Sequence, residues 1–345
     1  MKAAAAECGH RRALAWAGRP VLATFLILGI PALPVVPAPD ARAAESAFPT
    51  RPLRFVVPFP PGTTTDVVAR LVAQRLVERL GQQVVVDNRA GASGTIGTEA
   101  AAKADPDGHT LFMATMGNMT ANQHLYSKMS VDPLRALAPI TKVVDVHFVF
   151  MANPSLPAAS VKELIAVAKK RPGEMHYSSS GPGGAPHLAM ELFKRHAGIN
   201  LTHVPYKGSG PGMTDLLGGR VLMTMDSLLQ GYPHIRAGKL KALAVLGPKR
   251  SSLLPDVPTM AEAGVAGYAL TNWFGLLAPA ATPKETIVKV HGDVVRVLKD
   301  EDIRKKISEM GADVVGNAPE EFGAAMRAES AQWADIIKSA NIKAE

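Results

Sequence analysis

Two hydrophobic periods alternate along this chain, one of short apolar runs and one in which apolar residues recur every three to four positions. The run from Leu53 to Phe59 ends in Pro60-Pro61-Gly62, which predicts a buried strand entering a tight loop. Val67, Val68, Leu71, Val72, Leu76 and Leu80 then repeat at helical spacing, with Arg70, Arg75, Glu78 and Arg79 on the other side. Thr64 or Thr65 caps this helix and Gly81 stops it. Residues 83–87, with Val84, Val85 and Val86 at their centre, read as the next strand. The opening unit therefore reads strand, helix, strand, the mark of a parallel sheet with right-handed crossovers.

The same alternation continues. A helix is expected over 95–104, a strand over 110–116 and one or two extended segments over 143–151. Ser160-Val161-Lys162-Glu163 is a capping box opening a helix that Pro172-Gly173 ends. A strand over 175–179 feeds Gly181-Pro182-Gly183-Gly184-Ala185-Pro186 and a helix from about His187 to His196. Strands at 201–206, 221–226 and 241–246 follow with short helices between them. An extended segment at 269–277 precedes three C-terminal helices, near 283–299, 301–310 and 319–340. The class is α/β. With 345 residues the chain suits two lobes, and it is expected to cross between them near 145–153 and near 266–278. The expected partition is 1–44 as a signal peptide, 45–146 with 271–345 as one lobe, and 147–270 as the other.

Composition excludes several classes. Hydrophobic residues are 47% of the chain and charged residues 20%, a globular balance with ample apolar surface to bury. The single cysteine, Cys8, falls in the segment expected to be removed, so disulfides, thiolate metal sites and cysteine nucleophiles are not expected in the mature protein. In that segment Lys2, Arg11, Arg12 and Arg19 precede an apolar run over 21–30 that is too short to span a bilayer, and Ala41-Arg42-Ala43 supplies a small-x-small cleavage pattern. This predicts export to the periplasm through a cleaved signal peptide, by the Sec or the twin-arginine route. Removing the segment leaves about +5 of the chain's +8, a mildly positive surface that favours anions. The basic residues are dispersed and aromatics are only 5%, so no nucleic-acid stripe or stacking platform is expected.

Two loops carry the functional argument. In 58–66 and in 178–187 a strand's carboxyl end feeds a helix start, where unpaired N–H groups and the helix dipole favour an anion without help from lysine or arginine. Phe59, Pro60, Gly62, Thr63, Thr64 and Thr65 are the candidates of the first loop, and Ser179, Ser180 and Ala185 those of the second. Ser93 belongs to a third glycine loop over 91–95. Asp66, in a first helical turn, is favoured by the dipole whether or not it meets a ligand. Asp226, after the apolar strand over 221–225, is placed to take an amino or hydroxyl group. His187 stands at a helix start as a ligand contact or as support behind one, and Trp273 and Phe274 read either as core or as a stacking wall. Gly-x-Ser-x-Gly, His-Glu-x-x-His, P-loop and Gly-x-Gly-x-x-Gly patterns are absent, so neither an enzyme nor a metal site is expected, and no cofactor.

Seven segments together resemble one family: 51–62, 86–94 and 105–111, then 177–181, 203–208, 216–220 and 273–279. They are similar to the Bug-type solute receptors of tripartite tricarboxylate transporters, from about Phe48 to the C-terminus. The resemblance implies a type II periplasmic-binding-protein fold, two α/β lobes joined by two crossing strands with the ligand between them. It implies a small organic acid as ligand (a di- or tricarboxylate, an acidic amino acid or an aromatic acid) and membrane permease subunits as partners of a monomeric receptor. Asp226 matches the family's aspartate after that strand, and Tyr206 lies in a matching segment. Thr63 departs from the family's usual second glycine, which leaves the ligand open. The alternative is a ligand sensor that uses the same cleft for a signalling partner.

Overall fold

The computed structural model describes residues 48–127, 129–339 and 342, and the expected signal segment lies outside them. The chain begins with β1 (Leu53–Val57), α1 (Thr64–Leu80), β2 (Val84–Asn88), α2 (Thr95–Ala102) and β3 (Thr110–Thr115). Both β2 and β3 pair with β1 in parallel, as the strand–helix–strand pattern requires. Helix α1 buries Val68, Val72, Leu76 and Leu80 of the stripe predicted from the sequence, leaves Val67 and Leu71 half-buried, and ends at a left-handed Gly81 whose N–H bonds the Val77 carbonyl. A π-helical turn (Gly117–Ala121) and two short helices, α3 (Asn122–Leu125) and α4 (Pro133–Ala136), lead into β4 (Leu137–Val146).

At His147 the chain leaves this sheet. β5 (Phe148–Ala152), α5 (Val161–Lys170), β6 (His176–Ser179), α6 (Ala185–Ala197), β7 (Thr202–Pro205), α7 (Ser209–Leu217), β8 (Met223–Ser227), α8 (Leu228–Arg236) and β9 (Lys241–Val245) build a second sheet, ordered β7-β6-β8-β5-β9. The capping box forms in half: Ser160 Oγ accepts from the Glu163 N–H at 3.2 Å, but the Glu163 carboxylate accepts at 2.8 Å from the N–H of Ala159, one residue before the cap, instead of from that of Ser160. The chain then returns through β10 (Asn272–Pro279), α9 (Lys284–Leu298), α10 (Glu301–Glu309), β11 (Ala312–Val314) and α11 (Pro319–Ser339). β10 inserts antiparallel between β3 and β4, so the first sheet is ordered β11-β4-β10-β3-β1-β2.

Three departures from the expected elements have physical causes. The extended region expected over 143–151 is two strands in different sheets; β4 starts earlier, and its buried positions do not alternate, which hides its length from a period-two reading. Helix α6 starts at Ala185 and takes Pro186 into its first turn, where no hydrogen bond to a preceding carbonyl is lost. β11 is three residues long, too short to carry a hydrophobic period.

Candidate ligand-binding site

Four helices begin at one point between the two sheets. The first residues of α1 (Thr64, Thr65), α6 (Ala185, Pro186) and α7 (Ser209) line a small inner chamber, together with Ser227, which precedes α8. Each start leaves its first N–H groups without intrahelical partners and adds the positive end of a helix dipole. No lysine or arginine lines the chamber, and its one ionisable side chain is Asp226. Its volume is about 50 Å³, room for one carboxylate or a few waters.

Asp226 is buried, and its Oδ1 accepts from the Ser227 N–H at 2.7 Å. Burial pushes its carboxyl up to about 6 against the Ser209 hydroxyl and the Ser227 N–H, which favour the charged form. Asn272 Oδ1, at the start of β10, lines the same chamber, buried and without a partner among the described residues. An unpaired buried acceptor costs about 1–3 kcal/mol unless something arrives to satisfy it. Phe59, Phe148 and Phe274 supply the apolar wall, and Thr63 and Thr115 further hydroxyls.

The two sides touch across this chamber. Thr64 Oγ1 and Ser227 Oγ are 2.7 Å apart, Tyr126 donates its hydroxyl to the Pro182 carbonyl at 2.6 Å, and the Gln230 amide reaches the Gly62 carbonyl at 3.4 Å. Gly117, in the π-helical turn, lies so close to the Gly183 carbonyl that a Cβ there would stand 2.7 Å from that oxygen. Past Phe59, Ser180 and Gly208 the space widens into an outer chamber of about 490 Å³, also lined by Pro60, Ser93, Tyr206 and Lys207. Lys207 is its one charged residue and forms no ion pair among the described residues. Ser93 has left-handed backbone (φ 47°), rare for a residue with a Cβ, and its buried hydroxyl has no partner there.

The expected site residues therefore separate. Phe59, Thr63, Thr64, Thr65, Ser180, Ala185 and Asp226 line the inner chamber, and Phe59, Pro60, Ser93, Ser180 and Tyr206 the outer one. Gly62, Asp66, Ser179 and His187 line neither. Asp66 is turned into its own loop: it accepts from the Gly62 N–H at 2.9 Å, the Asn88 amide at 2.9 Å and the Arg70 guanidinium at 3.0 Å. Burial raises its carboxyl, but these three bonds outweigh that and hold it below the ordinary carboxylate range. Ser179 Oγ pairs with His203 Nε2 at 2.5 Å and receives the Gly181 N–H at 3.1 Å. His187 Nδ1 accepts the Gly183 N–H at 3.1 Å while its ring stacks on His203 at 4.2 Å. Burial depresses His187 to about 4 and His203 to about 3, so both are neutral braces of the glycine loop. Phe274 is wall, whereas Trp273 faces away from the cleft. Ser209, Ser227, Asn272 and Thr115 went unpredicted. Ser209 and Ser227, at the starts of α7 and α8, carried the same hydroxyl-at-helix-start signal as Thr64.

Comparison with known proteins decides what such a cleft belongs to. The sequence pattern of the tripartite tricarboxylate transporter family receptor matches residues 68–342. The chain belongs to that family. A relative, Protein BugT of Bordetella pertussis, is 38% identical over 304 residues, covering 88% of this chain and 93% of BugT. Among solved structures, the R. palustris protein Rpa4515 with adipate is 40% identical with a TM-score of 0.82, covering 86% of this chain and 99% of that one. MatC from Rhodopseudomonas palustris with bound malate is 31% identical with a TM-score of 0.80, covering 84% and 100%. As a Bug-type member of the family the chain is a solute-binding receptor and not an enzyme, and its two sheets form the type II periplasmic-binding fold. Receptors of this family work in the periplasm.

Proposed function

We propose that this receptor holds a small organic acid between the two sheets and delivers it to the membrane subunits of a tripartite tricarboxylate-type transporter. The observation that carries the reading is the convergence of four helix starts on a chamber lined by no basic side chain. One carboxylate fills that chamber, bonded by main-chain N–H groups and the Thr64, Thr65, Ser209 and Ser227 hydroxyls. Asp226 and the unpaired Asn272 oxygen next to it accept from a hydroxyl or amino group on the same end of the ligand. The rest of the ligand runs past Phe59 into the outer chamber, where Ser93 Oγ and Lys207 meet a second polar end. Adipate and malate in the two Rhodopseudomonas neighbours support an acid of this kind.

The reading includes the partition of 45–146 with 271–345 and of 147–270 as the two lobes that close on the ligand, and export by removal of 1–44. Its test is a thermal-shift panel of succinate, malate, adipate, citrate, glutamate and benzoate on the mature protein. Ligand at a hundred times its Kd adds about 2.7 kcal/mol of stability, roughly 5 °C in Tm for a protein of this size. A panel in which no acid moves Tm at millimolar concentration refutes the proposal.

A further inference from the structure

The strand that forms one wall of the inner chamber has a second face. Along β10, Asn272 and Phe274 line the chamber, while Trp273 between them points the opposite way, into a groove of about 360 Å³ bordered by α11. There the indole Nε1–H donates to Glu329 Oε2 at 2.9 Å, and the ring meets Phe322 edge-on at 5.0 Å. Trp273 is in register with Asp145 of β4, one residue before that strand ends and the chain crosses to the second sheet. Glu329 thus grips β10 where both crossings begin.

The surroundings of Glu329 make its charge conditional. Burial pushes its carboxyl up to about 7, and Asp145 on β4 adds to the rise. The Trp273 N–H, the Thr120 hydroxyl of the π-helical turn and Lys142 on β4 oppose it. From α3, His124 bonds Ser330 at 2.9 Å, one residue further along α11. The groove admits water, so the proton has a path in and out. An ionised carboxylate accepts the indole N–H about twice as strongly as a neutral acid, so the grip on β10 changes with the proton.

We propose that Glu329 is a positioning residue for the cleft: through the Trp273 indole it fixes β10, and with it Asn272 and Phe274, so that ligand occupancy and the protonation of Glu329 are coupled across the strand. The inference rests on the receptor reading above. Because coupling between two bound species is reciprocal, a ligand that settles against Asn272 must shift the titration of Glu329.

The experiment follows the indole N–H resonance of Trp273, assigned with Trp273→Phe, in the ¹⁵N-labelled mature chain from about pH 6 to about pH 8, without ligand and saturated with succinate or adipate. These diacids are ionised across most of that range, and Asp226 titrates lower. The expected result is a midpoint near 7 that moves by about 0.3 unit on saturation, a two-fold coupling. The same dependence, centred near 7, appears in Kd and is lost in Glu329→Gln, which still offers the indole an acceptor, while the part of Kd that follows Asp226 near 6 stays in the variant. A midpoint that stays put while diacid binding is plainly measured overturns the coupling and leaves the receptor reading standing, as does a Glu329→Gln variant that keeps the full pH dependence of Kd. Failure of every acid to bind overturns both.

Discussion

Replacing Asp66 by alanine separates two roles that a carboxylate at a helix start can play. Its oxygens accept from the Gly62 N–H, the Asn88 amide and the Arg70 guanidinium, and the Gly62 bond fixes the loop that presents Thr63, Thr64 and Thr65 to the chamber. Hydrogen bonds to a charged group contribute about 1.5–3 kcal/mol each, and Asp66→Ala leaves the Gly62 and Asn88 donors facing space that water refills only in part. Arg70 is half exposed and finds water at once, so its bond counts for little. The expected loss is roughly 3 kcal/mol, which at about 2 °C per kcal/mol lowers Tm by about 6 °C. Loosening of the Thr63–Thr65 amides weakens acid binding about ten-fold, equivalent to 1.4 kcal/mol. Because the folded carboxyl lies below its ordinary value, this stability is present above about pH 4 and disappears as pH falls through the folded value. Differential scanning fluorimetry and isothermal titration of the two proteins make the comparison. Affinity lost at unchanged Tm makes Asp66 a direct ligand contact and refutes the brace; no change in either shows that the loop stands without it.

Other outcomes follow from the same geometry. Asp226 holds its proton in the folded chain up to about 6 but only to 3.8 when unfolded, so stability declines as pH rises through that window, by at most about 3 kcal/mol. Asp226→Asn flattens that part of a urea-denaturation series, and an unaltered slope means the carboxyl is not buried as described. Gly117→Ala sets a methyl against the Gly183 carbonyl, backbone to backbone across the cleft, and is expected to cut acid affinity at least ten-fold while changing the ligand-free Tm little; equal affinity shows that the two sides need not approach so closely. A double-mutant cycle with Thr64→Val and Ser227→Ala should return a coupling of about 1 kcal/mol in the binding free energy, from the 2.7 Å hydroxyl pair. Additivity within error would mean that this pair forms no bond in the bound state.

What the sequence revealed follows how local each signal is. Strand β1, its loop and α1 were legible because a short apolar run gives way to a 3.6-residue period within one unit and Gly81 punctuates the end. The helix-start logic led to Thr64, Thr65, Ser180 and Ala185 on the same grounds. Asp66 was ambiguous because a first-turn carboxylate suits both roles. Its partner Arg70, one turn on, was in plain view, but Asn88 comes from another strand that only the folded chain brings near. Asn272 and Phe274 could not be told from Trp273, since alternation along β10 says that neighbours face opposite ways without saying which face meets the cleft. Ser179 and His187 sat in the right loop yet turn inward, because their hydrogen-bond partners are that loop's own amides and His203.

On the proposed reading, a carboxylate clasped by amide dipoles in a buried chamber is screened by dissolved ions less than one paired with an exposed lysine or arginine. Lysine or arginine would bring a mobile counterion that must be expelled on binding and that returns as the medium grows brackish. Fixed partial charges at four helix origins carry no such companion, so the salt dependence of acid binding is expected to be shallow and to come mainly from Lys207 at the outer end.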